Sequence, residues 1–85
     1  MSSETQREIT YGEKAVGLTF NPSGDENVNK IKRLYAEIID LCAKGRTNAV
    51  RHFTYNQEQA RLFSVAITEA QTAQMWAVKA LTWRY

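Results

Sequence analysis

The chain has one cysteine, one histidine and one proline among its 85 residues. A lone cysteine excludes an intramolecular disulfide, and Cys42 lies in an apolar helical pattern that is typical of a small core residue. His52 and scattered carboxylates match no metal-ligand spacing, and no Gly-rich phosphate loop is present. The sequence therefore predicts no catalytic site, no metal site and no cofactor.

The chain also lacks an excess of charge and a long apolar run. Eleven Lys and Arg stand against nine Asp and Glu, which leaves a net charge of +2. Binding of polymeric nucleic acid would need a basic stripe and is disfavoured, whereas a local anion site is compatible with this balance. No run approaches the roughly 20 apolar residues of a membrane span, and the polar N-terminus does not resemble a signal peptide. We expect a cytoplasmic protein without membrane contact.

The N-terminal part contains one short helix signal. Residues 1–8 are polar and are expected to be flexible within a single domain of residues 1–85. Thr10 and Glu13 have the spacing of a capping box, and Gly17 is a favourable helix end, so a helix is predicted over about residues 11–16. Phe20 is then expected to pack against a neighbouring helix.

The segment of residues 21–26 predicts the start of a second helix. Pro22 disfavours a helical conformation in the residue before it, and Ser23 can act as the N-cap. Gly45 is a favourable residue just past a helix end, so this helix is predicted over about residues 24–44. Residues 46–55 are then expected to form the loop that reverses the chain, with one irregular helical turn over residues 49–53 as an alternative. The apolar positions of the helix step by three and four: Val28, Ile31, Leu34, Tyr35, Ile38, Leu41 and Cys42.

The last helix is predicted to begin after Thr54 or Asn56, either of which can cap it, and to run to about Trp83. It carries an alanine seam at heptad-like spacing, preceded one step earlier by Phe63 and formed by Ala66, Ala70, Ala73, Ala77 and Ala80. Further apolar residues flank this seam and exceed the stripe that one partner helix can cover. We therefore predict an all-α fold, with a short N-terminal helix followed by a long antiparallel helical hairpin, which assembles into a compact homo-oligomer.

One combination of side chains suggests a ligand. Tyr11 belongs to no core stripe, and Lys30, Lys32 and Arg33 form a small basic cluster early in the second helix. An aromatic face suits a nucleotide base, and a fixed positive charge suits its phosphate. The alternative is that Tyr11 packs at a subunit contact and the lysines are simply solvated.

The order of motifs resembles a known family over nearly the whole chain from Ile9. The residues that carry the likeness are the run of residues 9–25, then Val28, Ile31-Lys32 and Ile38-Ile39-Asp40, and in the last helix Arg61, Ala66, Thr68-Glu69, Gln71 and Val78-Lys79-Ala80. This pattern is similar to the small phage proteins that share the helical-hairpin domain of the anti-CBASS and anti-Thoeris sponges.

The resemblance implies a homohexamer that sequesters cyclic di- or trinucleotide signals of bacterial defence without cleaving them, in the cytoplasm of the infected host. It places the ligand between two protomers, with Tyr11 stacking on a base and Lys32 meeting the phosphates, or Lys30 in its place. Ile67 stands where related proteins have an arginine, and Arg61 is the candidate substitute at a second, trinucleotide site.

Two other functions remain open on the sequence. Met75, Trp76 and Trp83 could form a surface that binds a host or phage protein, which would make the chain an oligomeric interaction module without a nucleotide ligand. An enzyme that degrades the signals is the third reading, and no residue pattern favours it.

Overall fold

A computed structural model describes residues 8–51 and 57–84, and three α-helices account for most of them. These are α1 (Tyr11–Val16), α2 (Glu26–Arg51) and α3 (Gln57–Leu81). α2 and α3 pack side by side as a hairpin, and α1 lies mainly against α2. The predicted all-α class and helix order are therefore confirmed.

Some expectations fall outside the described residues. Residues 1–7, which were expected to be flexible together with Glu8, lie outside the described residues. The proposed caps Thr54 and Asn56 also lie outside them. Within the described ranges, no helix is long and apolar enough to cross a bilayer.

The bounds of α1 agree with the capping signals in the sequence. The Thr10 hydroxyl accepts a hydrogen bond from the Glu13 backbone N–H at 3.0 Å, and the Glu13 carboxylate accepts one from the Thr10 N–H at 2.9 Å. Gly17 ends the helix with a φ of 62°, a left-handed conformation that favours glycine. A six-residue helix is marginal by itself, so these caps and its packing on α2 stabilise it.

The contact between α1 and α2 is closest at Gly12. Its backbone N–H donates a 2.7 Å hydrogen bond to the Asp40 carboxylate on α2. A Cβ at this position would lie 2.1 Å from the Ala36 carbonyl oxygen, so only glycine allows the two backbones to approach this closely. This contact fixes the position of the neighbouring Tyr11.

The start of α2 lies two residues later than the sequence suggested. Gly24 has a φ of 72° and is not helical, and the helix begins at Glu26. The Asp25 carboxylate accepts the backbone N–H of Asn27 at 2.8 Å, which is the N-cap interaction predicted for Ser23. Ser23 instead accepts the Asp25 N–H. The N-cap of α2 is therefore Asp25 and not Ser23.

The predicted end of α2 at Gly45 is wrong. The helix continues to Arg51, and Gly45 lies in its interior, where a Cβ would approach the Phe63 ring tip to 2.4 Å. Glycine is needed here because the Phe63 side chain of α3 occupies the space above the α2 backbone. The segment from residue 46, predicted as a loop, is thus helical as far as Arg51.

The core joins all three helices. Val16, Ala36, Ile39 and Ile67 form its buried cluster, and Ile39 is fully buried. The face that α3 turns toward the rest of the chain is made of buried or half-buried residues: Ala60, Phe63, Ile67, Ala70, Gln74, Ala77 and Leu81.

The alanine seam predicted from the sequence contributes only in part to this face. Phe63, Ala70 and Ala77 share it, whereas Ala66, Ala73 and Ala80 are exposed in the single chain. The register is set by Ile67, which enters the core, and by Phe63, which covers Gly45.

We expect Gly45→Ala to destabilise the fold. Alanine at an open helical position stabilises by up to about 1 kcal/mol relative to glycine, but here its Cβ would displace the Phe63 ring, and overpacking typically costs about 1–3 kcal/mol. The measurement is the free energy of unfolding from urea denaturation followed by circular dichroism.

The matched control is the same change in a Phe63→Ala background. With the ring removed, Gly45→Ala should become stabilising, so the sign of the effect should reverse. A stabilising effect of Gly45→Ala in the wild-type background would contradict the close contact.

Candidate ligand-binding site

Tyr11 is the first residue of α1, and its side chain is half exposed, at 50% of its full accessible area. The guanidinium carbon of Arg46 lies 5.9 Å from the centroid of its ring, within the range of a cation–π contact. The ring is thus held by Gly12 through the backbone and by Arg46 at the side chain. This arrangement presents an oriented aromatic surface to the solvent.

Arg46 connects the aromatic ring to the hairpin. Its Nη1 donates a 3.0 Å hydrogen bond to the Ser64 hydroxyl on α3. Sequence reasoning missed this residue because it took Gly45 as the helix end. Cys42, Arg46 and buried Ala49 follow one another at steps of four and three, so the helical spacing continues beyond Gly45. This spacing is the signal that could have identified Arg46 as a helical residue.

Lys32 lies near the other end of α1 and is buried, with only 5% of its area exposed. Its ammonium group donates hydrogen bonds to the backbone carbonyls of Gly17, at 3.0 Å, and of Phe20. Burial lowers the pKa of Lys32 because removal from water disfavours the charged form. The residue therefore ties the α1–α2 connection to α2.

Phe20 does not pack into the chain as expected. It is 71% exposed, and its ring centroid lies 5.5 Å from the Lys32 ammonium nitrogen. The ring forms one wall of a mainly apolar cleft of about 300 Å³ to which Val28, Val78 and Thr82 also contribute. The connection tethered by Lys32 thus carries an exposed aromatic side chain.

The structure does not bring Tyr11 and Lys32 together in one chain. Tyr11 begins α1 and lies against Arg46, whereas the Lys32 ammonium group bonds to the carbonyl of Gly17, which caps the other end of α1. The six residues from Tyr11 to Gly17 correspond to about 9 Å along the axis of α1. The Tyr11 ring and the Lys32 ammonium group are therefore at opposite ends of this short helix.

The two remaining sequence candidates are surface residues. Lys30 is exposed on α2. Arg61 is exposed on α3 and pairs with Glu58, with 2.7 Å between Nη2 and the carboxylate oxygen. The hydrogen bond from Arg61 lowers the pKa of the Glu58 carboxyl. An exposed ion pair of this kind contributes little to stability.

A second group of aromatic and basic side chains lies at the end of α3. The Lys79 ammonium nitrogen is 5.5 Å from the Trp76 ring centroid and 6.0 Å from that of Trp83. Both indole rings are exposed. In residues 8–51 and 57–84, no three His, Cys, Asp or Glu side chains form a group that could hold a metal ion.

The family model described as Acb2/Tad1, hairpin domain, matches residues 13–82. The chain belongs to this family. Its members are the anti-CBASS and anti-Thoeris sponges, which bind cyclic nucleotides and are not known as enzymes. The match includes Lys30, Lys32 and Arg61, whereas Tyr11 lies two residues before it. Comparison with curated proteins and with solved structures gave no match.

Replacement of Lys32 tests its structural role in this Acb2/Tad1 hairpin domain. Lys32→Met keeps the side-chain length but removes both hydrogen bonds, so we expect the free energy of unfolding to fall by about 1 kcal/mol without any ligand. Because burial lowers the folded-state pKa below that of the unfolded chain, the wild type should gain stability relative to the variant as the pH rises toward 10.5.

Urea denaturation at neutral and alkaline pH measures both effects. Lys30→Met is the matched control, since its side chain is exposed on the same helix, and it should leave the stability nearly unchanged. Equal stability of Lys32→Met and the wild type would contradict the structural role.

Proposed function

We propose that the chain is a non-enzymatic phage sponge that binds cyclic oligonucleotide messengers of bacterial defence in the cytoplasm of the infected host. Membership of the Acb2/Tad1 hairpin family is the observation that carries this proposal. The ligand is a cyclic dinucleotide, with a cyclic trinucleotide as the second class. Sequestration needs no bond to be broken. It needs binding sites in excess of the messenger and an affinity above that of the host effector.

The same proposal includes assembly into a homohexamer. Large apolar side chains are exposed on the outer sides of both long helices, among them Leu34, Ile38, Leu41, Leu62, Val65, Met75 and Trp76. Leu34, Ile38 and Leu41 follow one another at steps of four and three, which places them on one stripe of α2. Soluble monomers seldom expose continuous apolar stripes, so this surface favours burial between copies.

In this proposal the ligand lies between two protomers. Tyr11 and the Lys32 ammonium group are at opposite ends of α1, so a ligand that bridges two copies can take its stacking ring from one copy and its cation from the other. In this proposal Tyr11 stacks on a base. Lys32 retains one of its three N–H donors for a phosphate, and exposed Lys30 is the alternative.

The trinucleotide site would differ from that of related sponges. Ile67, at the position that the resemblance assigns to an arginine, is 3% exposed and packs in the core cluster. A side chain in that place faces the interior of the hairpin. Arg61, which is exposed one and a half turns earlier, is the candidate substitute.

The decisive experiment is native mass spectrometry of the purified protein with and without a panel of cyclic di- and trinucleotides. We expect a hexamer that gains the mass of intact ligands, and the ligands should be recovered unchanged after denaturation. A monomer, or an oligomer that takes up no ligand, would contradict the proposal. Recovery of cleaved nucleotide would replace the sponge by an enzyme.

Tyr11→Ala should weaken binding of a cyclic dinucleotide by roughly 1–3 kcal/mol, because the stacking surface for the base is lost. Isothermal titration calorimetry measures the affinity. Tyr11→Phe is the matched control, which keeps the ring and should bind nearly as tightly as the wild type. A smaller oligomer in Tyr11→Ala would show instead that the ring is an assembly contact.

The interaction-module function is favoured by one observation, the exposed Met75, Trp76 and Trp83 side chains. If self-assembly buries these residues, their fluorescence should resist quenching by acrylamide in the purified oligomer. If the indoles are quenched freely, the surface is available for a protein partner, and this second function gains support.

A further inference from the structure

We propose that Arg46 binds a phosphate of the nucleotide whose base stacks on Tyr11. This inference rests on the proposed function and adds to it a cation that belongs to the same protomer as the ring. The prediction from the sequence gave Arg46 no role, because it placed this residue in a loop. The structure places it on α2, with its guanidinium carbon 5.9 Å from the Tyr11 ring centroid.

The guanidinium of Arg46 is held in place and has donors to spare. One of its five N–H groups donates to the Ser64 hydroxyl. Within residues 8–51 and 57–84, the side chain makes no other hydrogen bond and has no carboxylate partner. Arg61 differs in this respect, since Glu58 takes two of its N–H groups. The positive charge of Arg46 is therefore available to an external anion.

The surrounding charge also fits an anion. Asp40 is the carboxylate that faces the start of α1, and it accepts the Gly12 backbone N–H at 2.7 Å. This bond partly offsets its negative charge and directs one oxygen toward the backbone. The aromatic ring, the guanidinium and the Ser64 hydroxyl thus form a surface to which each of the three helices contributes one residue.

Arginine suits this place better than lysine would. Its planar fork can donate two parallel hydrogen bonds to a phosphate while its flat face remains against an aromatic ring. The bond to Ser64 restricts the side chain before the ligand arrives, which reduces the entropy lost on binding. Lys32 lies at the opposite end of α1 from Tyr11, and two of its three donors are bonded to the backbone carbonyls of Gly17 and Phe20. Arg46 is the better-placed cation for a nucleotide at Tyr11.

The test is isothermal titration calorimetry of the oligomeric protein with cyclic di-GMP and with 3′,3′-cyclic GMP-AMP, at several salt concentrations. Arg46→Ala should bind about 10- to 100-fold more weakly than the wild type. Its plot of log affinity against log salt should also be shallower, because one charge–charge contact with a phosphate, which salt screens, is lost. Arg46→Lys should recover part of the affinity, since it keeps the charge but not the fork.

Lys44→Ala is the matched control. It removes an exposed cation two residues away on the same helix, on the opposite side at about 200°, and it should change neither affinity nor salt slope. Circular dichroism and native mass should be unchanged in all three variants. These measurements separate a ligand contact from a folding defect.

Two results would overturn the inference while the proposed function stands. In the first, Arg46→Ala binds as tightly as the wild type. In the second, its affinity falls with an unchanged salt slope, which would mean that Arg46 only packs against Tyr11. If the wild type binds no cyclic nucleotide at all, the proposed function itself fails, and the inference fails with it.

Discussion

The hydrogen bond from the Gly12 backbone to Asp40 is the contact on which the candidate site depends. It brings α1 so close to α2 that no side chain fits at residue 12, and it places Tyr11 beside Arg46. At the other end of α1, Lys32 bonds to the carbonyl of the capping Gly17. A helix of six residues would not persist alone, so its position is determined by these two fixed ends.

The sequence predicted the ends of a helix correctly where the capping residues interact only with residues close to them in the chain. Thr10, Glu13 and Gly17 define α1 through hydrogen bonds within a few residues, and the structure confirms all three. Gly45 misled the prediction because glycine has two uses. It can end a helix in a left-handed conformation, or it can leave room for a neighbour, and here it leaves room for Phe63 from another helix. Only the tertiary packing distinguishes the two.

Only part of the candidate site was predictable from the sequence, because some of its contacts also depend on tertiary packing. Tyr11 stood out because it belongs to no apolar period, and it is indeed half exposed. Its distance from Lys32 depends on the direction in which α1 runs along α2, which no local pattern specifies. The contribution of Arg46 was hidden by the interpretation of Gly45 as a helix end. The spacing from Cys42 to Ala49 can keep Arg46 on the helix, but its contact with Tyr11 depends on how α1 packs against α2, which spacing does not specify.

The buried amine of Lys32 has a consequence for the chemical behaviour of the protein. An acylating reagent modifies exposed lysines such as Lys14, Lys30 and Lys44, but it reaches Lys32 only when the α1–α2 connection opens. Because burial is what lowers the pKa of Lys32, the amine regains an ordinary lysine pKa once it is uncovered and then reacts as the exposed lysines do. The rate at which the reagent labels Lys32 thus reports how often the connection detaches, at a single residue and without any change to the sequence.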